Sequence, residues 1–188
     1  MAEADSILTE WNNMDAARAA EAILPCNGSR AWAKGVARMR PLASAEELFK
    51  ASDRVWQALP ERDWHQAFDS HPRLGERMAE AATGKSLSWS LGEQAAANPD
   101  EAAREALACG NEEYEATFGH IFLLCATGRS AGEMLAILRE RLQNDAATEL
   151  REAAEQQRLI TQLRLRKWLH MPASTCAESA ERTEAAQR

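Results

Sequence analysis

Ser44-Ala45-Glu46-Glu47-Leu48-Phe49-Lys50-Ala51-Ser52-Asp53-Arg54-Val55-Trp56-Gln57-Ala58-Leu59-Pro60 sets the pattern for the whole chain. Ser44 and Glu47 stand as S-x-x-E, a capping box in which a hydroxyl and a carboxylate each accept a backbone N–H at a helix start. Leu48, Val55, Trp56 and Leu59 then recur at helical spacing, and Pro60 stops the run. The pattern repeats outward from here. Ser29 caps a helix bearing Trp32, Val36 and Met39, and Trp64 and Phe68 form a short helical face that ends at His71-Pro72. Leu107, Tyr114 and Phe118 predict a helix from near Asp100 to Gly119. Ser130 and Glu133 form a second capping box ahead of Met134, Leu135, Leu138 and Leu142. Asp145 caps a last long helix through Leu150, Ala154, Ile160 and Trp168. Only Ile121-Phe122-Leu123-Leu124-Cys125-Ala126 is ambiguous, between a short strand, an extended buried segment and a helix piece.

With no strand-rich region, no internal repeat and no Gly-rich phosphate loop, the fold class is all-α: a single-domain bundle of about eight short helices. Ala82-Thr83-Gly84-Lys85-Ser86 reads as a loop and lacks the earlier glycine of a phosphate-binding loop. Residues 1–171 make up the helical domain. Residues 172–188 turn to small and charged side chains that bury little surface and are expected to be disordered.

A length of 188 residues suits one domain with a sizeable core. The formal net charge of −7 argues against nucleic acid as a partner. No apolar run is long enough to span a membrane, and the acidic start Met1-Ala2-Glu3-Ala4-Asp5 is not that of a secretory signal. Cys26, Cys109, Cys125 and Cys176 form no CxxC pair, so thiols in a reducing cytoplasm are the simplest account. His65, His120 and His170 have no metal-like spacing with one another or with carboxylates, and no metal is assigned.

Three places carry candidate chemistry. The first is His71-Pro72-Arg73-Leu74-Gly75-Glu76. Histidine exchanges a proton near neutral pH, and the following proline disfavours α geometry at His71, placing it in a turn or at a helix end. The second is Ser90-Leu91-Gly92-Glu93-Gln94. Ser90 and Glu93 fit a helix cap, or Glu93 and Gln94 project from a helix N-terminus suited to an anionic ligand; spacing alone favours the cap. The third is Arg164, which shares a helix face with Ile160 and Trp168 and so needs a salt bridge or a carboxylate-bearing ligand. Arg158 and Arg166 project elsewhere and read as solvated. Asn111 and Tyr114 read as packing and hydrogen-bonding residues.

Together these elements resemble the 2-oxo-4-hydroxy-4-carboxy-5-ureidoimidazoline (OHCU) decarboxylase family of uric acid degradation. The resemblance rests on Trp32 with Arg40-Pro41, the stretch from His71 to Glu76, Ser90-x-x-Glu93-Gln94 and Asn111-x-x-Tyr114. It continues through Phe118-Gly119-His120-Ile121-Phe122, Arg141-Leu142-x-Asn144 and Ile160-x-x-Leu163-Arg164-Leu165, and covers about Leu24 to Leu169. Leu42 departs from it, since the family usually has phenylalanine after Arg-Pro; packing is affected more than chemistry. The resemblance implies an all-helical homodimer that converts OHCU to (S)-allantoin and carbon dioxide without metal or organic cofactor. It implies His71 as the catalytic proton donor, and the chemistry of the residue types adds Glu93 as a catalytic carboxylate. It implies Pro72, Ser90, Leu91, Gly92, Gln94, Phe122, Leu123, Leu124, Cys125, Ala126 and Arg164 as substrate-binding. A helical interaction module without activity, or an enzyme acting on another ureido compound, stays open as the alternative.

Overall fold

The computed structural model describes residues 2–73 and 101–172. Among the described residues there are eight helices and no strand. They are α1 (Ala2–Asn12), α2 (Ala16–Asn27), α3 (Arg30–Ala37), α4 (Ala45–Gln57), α5 (Glu61–Phe68), α6 (Glu101–Phe118), α7 (Ala131–Arg141) and α8 (Ala146–Trp168). The fold is all-α. At 18 and 23 residues, α6 and α8 are the longest, and their spans match the helices expected from near Asp100 to Gly119 and from Asp145 through Trp168. The expected loop at 82–86 and the expected tail from residue 173 onward lie outside the described residues.

Local capping explains most boundaries. Ser29 Oγ accepts from Trp32 N at 3.2 Å and Asp15 from Arg18 N at 2.9 Å. At α4, Ser44 Oγ accepts from Glu47 N, but Glu47 reaches the N–H of Ala43 at 2.8 Å, one residue before the cap. At α7 the reciprocal box is complete: Glu133 accepts from Ser130 N at 2.7 Å and Ser130 Oγ from Glu133 N at 3.3 Å. Bonds from the Ser130 hydroxyl and amide hold the Glu133 carboxyl below its ordinary range. Asp145 accepts from the amides of Ala147 and Thr148, both at 3.0 Å, and starts α8. α6 ends at Gly119, whose φ of 74° suits a residue without Cβ.

The described helices divide into two compact units, one taking the residues up to Ala67 and those from Arg158, the other the residues from Phe68 to Gln157. In the first, Trp11, Ile23, Trp32, Leu48 and Trp56 are buried. Two indoles also bond: Trp11 Nε1 donates to Ala19 O at 2.8 Å and Trp32 Nε1 to Ser52 O at 3.3 Å. The Arg40 guanidinium lies 5.2 Å from the Trp11 ring and donates to the carbonyls of Trp11 at 2.6 Å and Met14 at 2.8 Å. The Arg40-Pro41 peptide is cis. Leu42 is buried, and Asn12 both donates to its carbonyl at 2.8 Å and accepts from its amide at 3.0 Å.

One expectation for α8 is overturned. Arg158 is 3 % exposed rather than solvated, and Asp53 faces it at 3.1 Å. Asp53 also accepts from Gln162 Nε2 at 2.7 Å. Residues 158 and 162 share a face one turn apart, and that face meets α4 instead of water. Arg166 is half-buried, its guanidinium 4.7 Å from the Phe49 ring.

α3 and α4 pack closely at Gly35, where an added Cβ would lie 2.6 Å from Val55 Cγ1. Val55 is β-branched and has little rotamer freedom with which to yield. Gly132 in α7 has nothing within 4 Å of that position. Gly35→Ala is therefore expected to lower unfolding free energy by about 1–3 kcal/mol despite alanine's better helix propensity. Gly132→Ala should raise it by up to about 1 kcal/mol. Urea unfolding of both variants checks the contrast.

Candidate active site

The second unit contains His71 and the run from Phe122 to Ala126. His71 follows α5, and its amide donates to Phe68 O at 3.0 Å, continuing the helix end by one turn. Its side chain is 8 % exposed. Pro72 restricts the backbone after it, and Arg73 then forks onto Glu115 of α6, with Nε–Oε1 at 2.5 Å and Nη2–Oε2 at 2.9 Å. The segment carrying the histidine is thus held by a turn bond on one side and a bidentate pair on the other.

Residues 121–126 adopt neither helix nor strand. Of the three conformations the sequence leaves open, the structure takes the irregular buried segment. Phe122, Leu124 and Ala126 join the apolar core cluster with Leu107, Tyr114, Ala131, Met134 and Leu138. This every-second-residue pattern is that of a non-helical chain. Aromatic rings pack at its start: Tyr114 lies 5.2 Å from Phe122 and 5.5 Å from His120, and Phe68 lies 5.4 Å from His120.

A buried ionic network supports this run. Arg141, the last residue of α7, donates through Nε to Glu149 Oε1 at 2.8 Å and through Nη1 to Leu123 O at 2.6 Å. Its Nη2 reaches the Tyr114 hydroxyl at 3.2 Å and also bonds Glu149. The Tyr114 hydroxyl in turn donates to Glu149 Oε1, and Asn144 Nδ2 donates to Oε2 at 2.8 Å. The Arg141 guanidinium lies 4.8 Å from the Phe122 ring. Burial pushes the Tyr114 phenol well above its ordinary range; the Arg141 charge opposes that rise and the bond to Glu149 adds to it. Tyr114 therefore remains a protonated donor.

The remaining candidates are distributed as follows. Arg164 lies in the first unit, on the α8 face that also carries Ile160, and its side chain is fully buried at 0 % exposure. Ser90, Leu91, Gly92, Glu93 and Gln94 lie outside the described residues. Cys125 is buried and disulfide-bonded, so the expectation of thiols throughout does not hold at that sulfur. Cys26 and Cys109 carry no disulfide. Among the described residues no group of three or more His, Cys, Asp or Glu side chains could hold a metal ion. No described helix is long and apolar enough to cross a membrane.

Sequence reasoning missed Glu149 and Gln156, and it took Arg141 only as part of a motif. Arg141 lies three residues after Leu138 and seven after Met134, on the apolar stripe of α7. That signal equals the one that singled out Arg164, and it was there to be used. Glu149 carried no such signal, because a carboxylate in the first turn of a helix reads as an ordinary dipole partner.

An all-helical fold that carries a histidine-proline turn and a buried irregular run belongs to a class already known from solved structures. The chain is similar to a crystal structure of OHCU decarboxylase in the presence of (S)-allantoin, with a TM-score of 0.66, 32 % identity, and coverage of 78 % of this chain and 96 % of that one. The fold alone is shared with a structure of (S)-allantoin synthase, at a TM-score of 0.66 and 17 % identity. Residues 12–166 match the family model described as OHCU decarboxylase, and the chain belongs to that family.

Among its relatives, the uric acid degradation bifunctional protein TTL of Arabidopsis thaliana is 35 % identical over 156 residues, covering 82 % of this chain and 48 % of that protein. The 2-oxo-4-hydroxy-4-carboxy-5-ureidoimidazoline decarboxylase of Amia calva is 31 % identical over 140 residues, covering 72 % and 78 %. That of Haloferax volcanii is 30 % identical over 131 residues, covering 67 % and 73 %. The chain thus spans about half the length of the plant relative and most of the length of the other two.

The buried pair yields a stability test. Glu149→Gln leaves the Arg141 charge buried without its counter-ion and is expected to cost about 3–5 kcal/mol of unfolding free energy. Arg141→Met combined with Glu149→Leu should cost less than the two single changes added together. Chemical denaturation across the double-mutant cycle reads that coupling directly.

Proposed function

We propose that this chain converts OHCU to (S)-allantoin and carbon dioxide. The observation that carries the reading is the doubly held His71-Pro72-Arg73 segment, with His71 and Pro72 buried, in a chain whose residues 12–166 match the family model. The bond between the hydroxyl-bearing ring carbon and the carboxylate breaks, and its electron pair moves into the neighbouring C=N of the ring. No external electron sink is needed. The ring nitrogen that received the pair and the ureido-bearing carbon each take a proton, while the hydroxyl yields its own to become the carbonyl. One net proton is consumed as the carboxylate leaves as carbon dioxide.

His71 is the proposed donor of that proton, delivered to a single face of the ring. Histidine is a residue type that exchanges protons near neutral pH, which suits it to the task. Glu93 is assigned to the ureido N–H groups or the hydroxyl, where its charge disfavours the substrate carboxylate more than neutral carbon dioxide. Pro72, Ser90 to Gln94 and Phe122 to Ala126 are assigned to substrate binding, and Arg164 to the ligand's oxygen atoms through its planar fork. The same reading takes the enzyme to be a cytoplasmic homodimer without metal or organic cofactor, so chelator treatment should leave its rate unchanged. Sedimentation of the wild-type chain checks the dimer.

The test is an assay with freshly generated OHCU that follows the rate and the optical activity of the allantoin formed, because spontaneous decay yields racemic product. Wild-type protein that gives only racemate at the background rate rejects the assignment. His71→Asn is expected to lower the rate by about 100-fold or more with the fold retained. Glu93→Gln can still cap a helix, so a collapse in activity at unchanged melting temperature separates chemistry from capping. Arg164→Lys keeps the charge and loses the fork, and Arg164→Met loses both. Affinity for (S)-allantoin, measured by calorimetry, should fall in that order; unchanged affinity in folded Arg164→Met removes the residue from the ligand contacts.

A further inference from the structure

The run 122–126 poses a backbone problem that a helix does not have. Its residues are buried and make no regular structure, so their amides and carbonyls need partners from elsewhere. Phe122, Leu124 and Ala126 face the core cluster. The peptide groups around Leu123 and Cys125 are met by side chains from flanking elements. Arg141 donates to Leu123 O at 2.6 Å, Arg129 Nε to Cys125 O at 3.3 Å, and Gln156 Oε1 accepts from Cys125 N at 3.0 Å.

Gln156 differs from the other two. It is half-buried on α8 and carries no charge of its own. Its amide is also oriented: Nε2 donates to Glu152 Oε1 at 2.9 Å, one turn earlier on the same helix, which turns the oxygen toward Cys125 N. Glu152, Gln156 and the Cys125 amide form a directed chain ending on the backbone of the run.

We propose that Gln156, oriented by Glu152, is a positioning residue for substrate binding: it fixes the Cys125 peptide plane so that the neighbouring peptide groups of the run are held ready for a ureido- and carbonyl-rich ligand. The proposal rests on the reading of 122–126 as a substrate-binding run. A peptide plane free to rotate would present its donors and acceptors in several directions, and binding would then bear the cost of selecting one. The role is in ligand affinity, not in proton transfer.

Gln156→Met keeps the length and apolar stem and removes the acceptor. The expected result is a KM for OHCU raised about tenfold, with kcat within about threefold of wild type and a melting temperature within a few degrees. Gln156→Glu alone keeps an acceptor but sets it against Glu152, and should be intermediate or worse. The exchange Glu152→Gln with Gln156→Glu restores one donor and one acceptor in reversed order, and should return KM to within about threefold of wild type.

A wild-type KM in Gln156→Met overturns the proposal. So does a loss spread equally over kcat and melting temperature, or a double exchange no better than Gln156→Glu alone. If the wild-type chain fails to turn over OHCU, the assigned reaction is what has failed. Calorimetric affinity for (S)-allantoin in wild type and Gln156→Met then tests the positioning role by itself, and equal affinities overturn it.

Discussion

The Arg141–Glu149 pair is the constraint on which the second unit depends. Both charges are almost completely removed from water, at 5 % and 0 % exposure. Desolvation of two such ions costs several kcal/mol each. Their attraction at an effective dielectric constant near 20 returns about 4 kcal/mol at 4 Å. The pair alone does not explain net stability, and the surrounding bonds make up the difference. Glu149 also accepts from Tyr114 and Asn144, and Arg141 spends a further N–H on Leu123 O. The placement fits the helix dipoles as well: the cation ends α7 and the anion lies in the first turn of α8, each at the end that favours its sign. What the arrangement favours is uniqueness, because Tyr114 of α6, Arg141 of α7 and Glu149 of α8 each bond the other two, and a shift of one leaves a buried charge without its partner.

That uniqueness matters most for the chain between α6 and α7. A helix satisfies its own backbone, so its core-facing residues can change with modest penalty. The segment 121–126 has no such insurance and borrows its hydrogen bonds from Arg141, Arg129 and Gln156. The same economy operates around His71, where the Arg73–Glu115 fork and the Phe68 carbonyl hold a short non-helical stretch. In both places irregular backbone carries residues assigned to chemistry, and in both a helix-borne side chain supplies part of the hold.

How far each feature was legible follows from the range of the interaction that creates it. Ser29, Ser44, Ser130 and Asp145 could be read as caps because a cap acts over three residues of contiguous chain. The end of α6 at Gly119 was legible for the same reason. Arg158 was misread because its partner Asp53 lies 105 residues away, and no local pattern separates a buried charge with a distant counter-ion from a solvated one. The conformation of 121–126 could not be settled from an apolar run alone, since what decides it is the reach of Arg141 and Gln156. The His71, Ser90–Gln94 and Arg164 assignments came from family resemblance joined to residue chemistry.

The division of α8 between the units has a consequence for how the molecule is made. The second unit is one continuous stretch of chain, whereas the first draws on both ends of the described sequence. Its tertiary bonds span long separations: Asn27 to Thr161 across 134 residues, Gln162 to Asp53 across 109, and Arg158 to Asp53 across 105. During synthesis, Asp53 and the buried Asn27 emerge far ahead of the residues that satisfy them. The entropy of closing such loops must be met before those contacts form. The early helices therefore wait, incompletely paired, until the last half of α8 leaves the ribosome, which makes the interval between them the period of greatest exposure to aggregation.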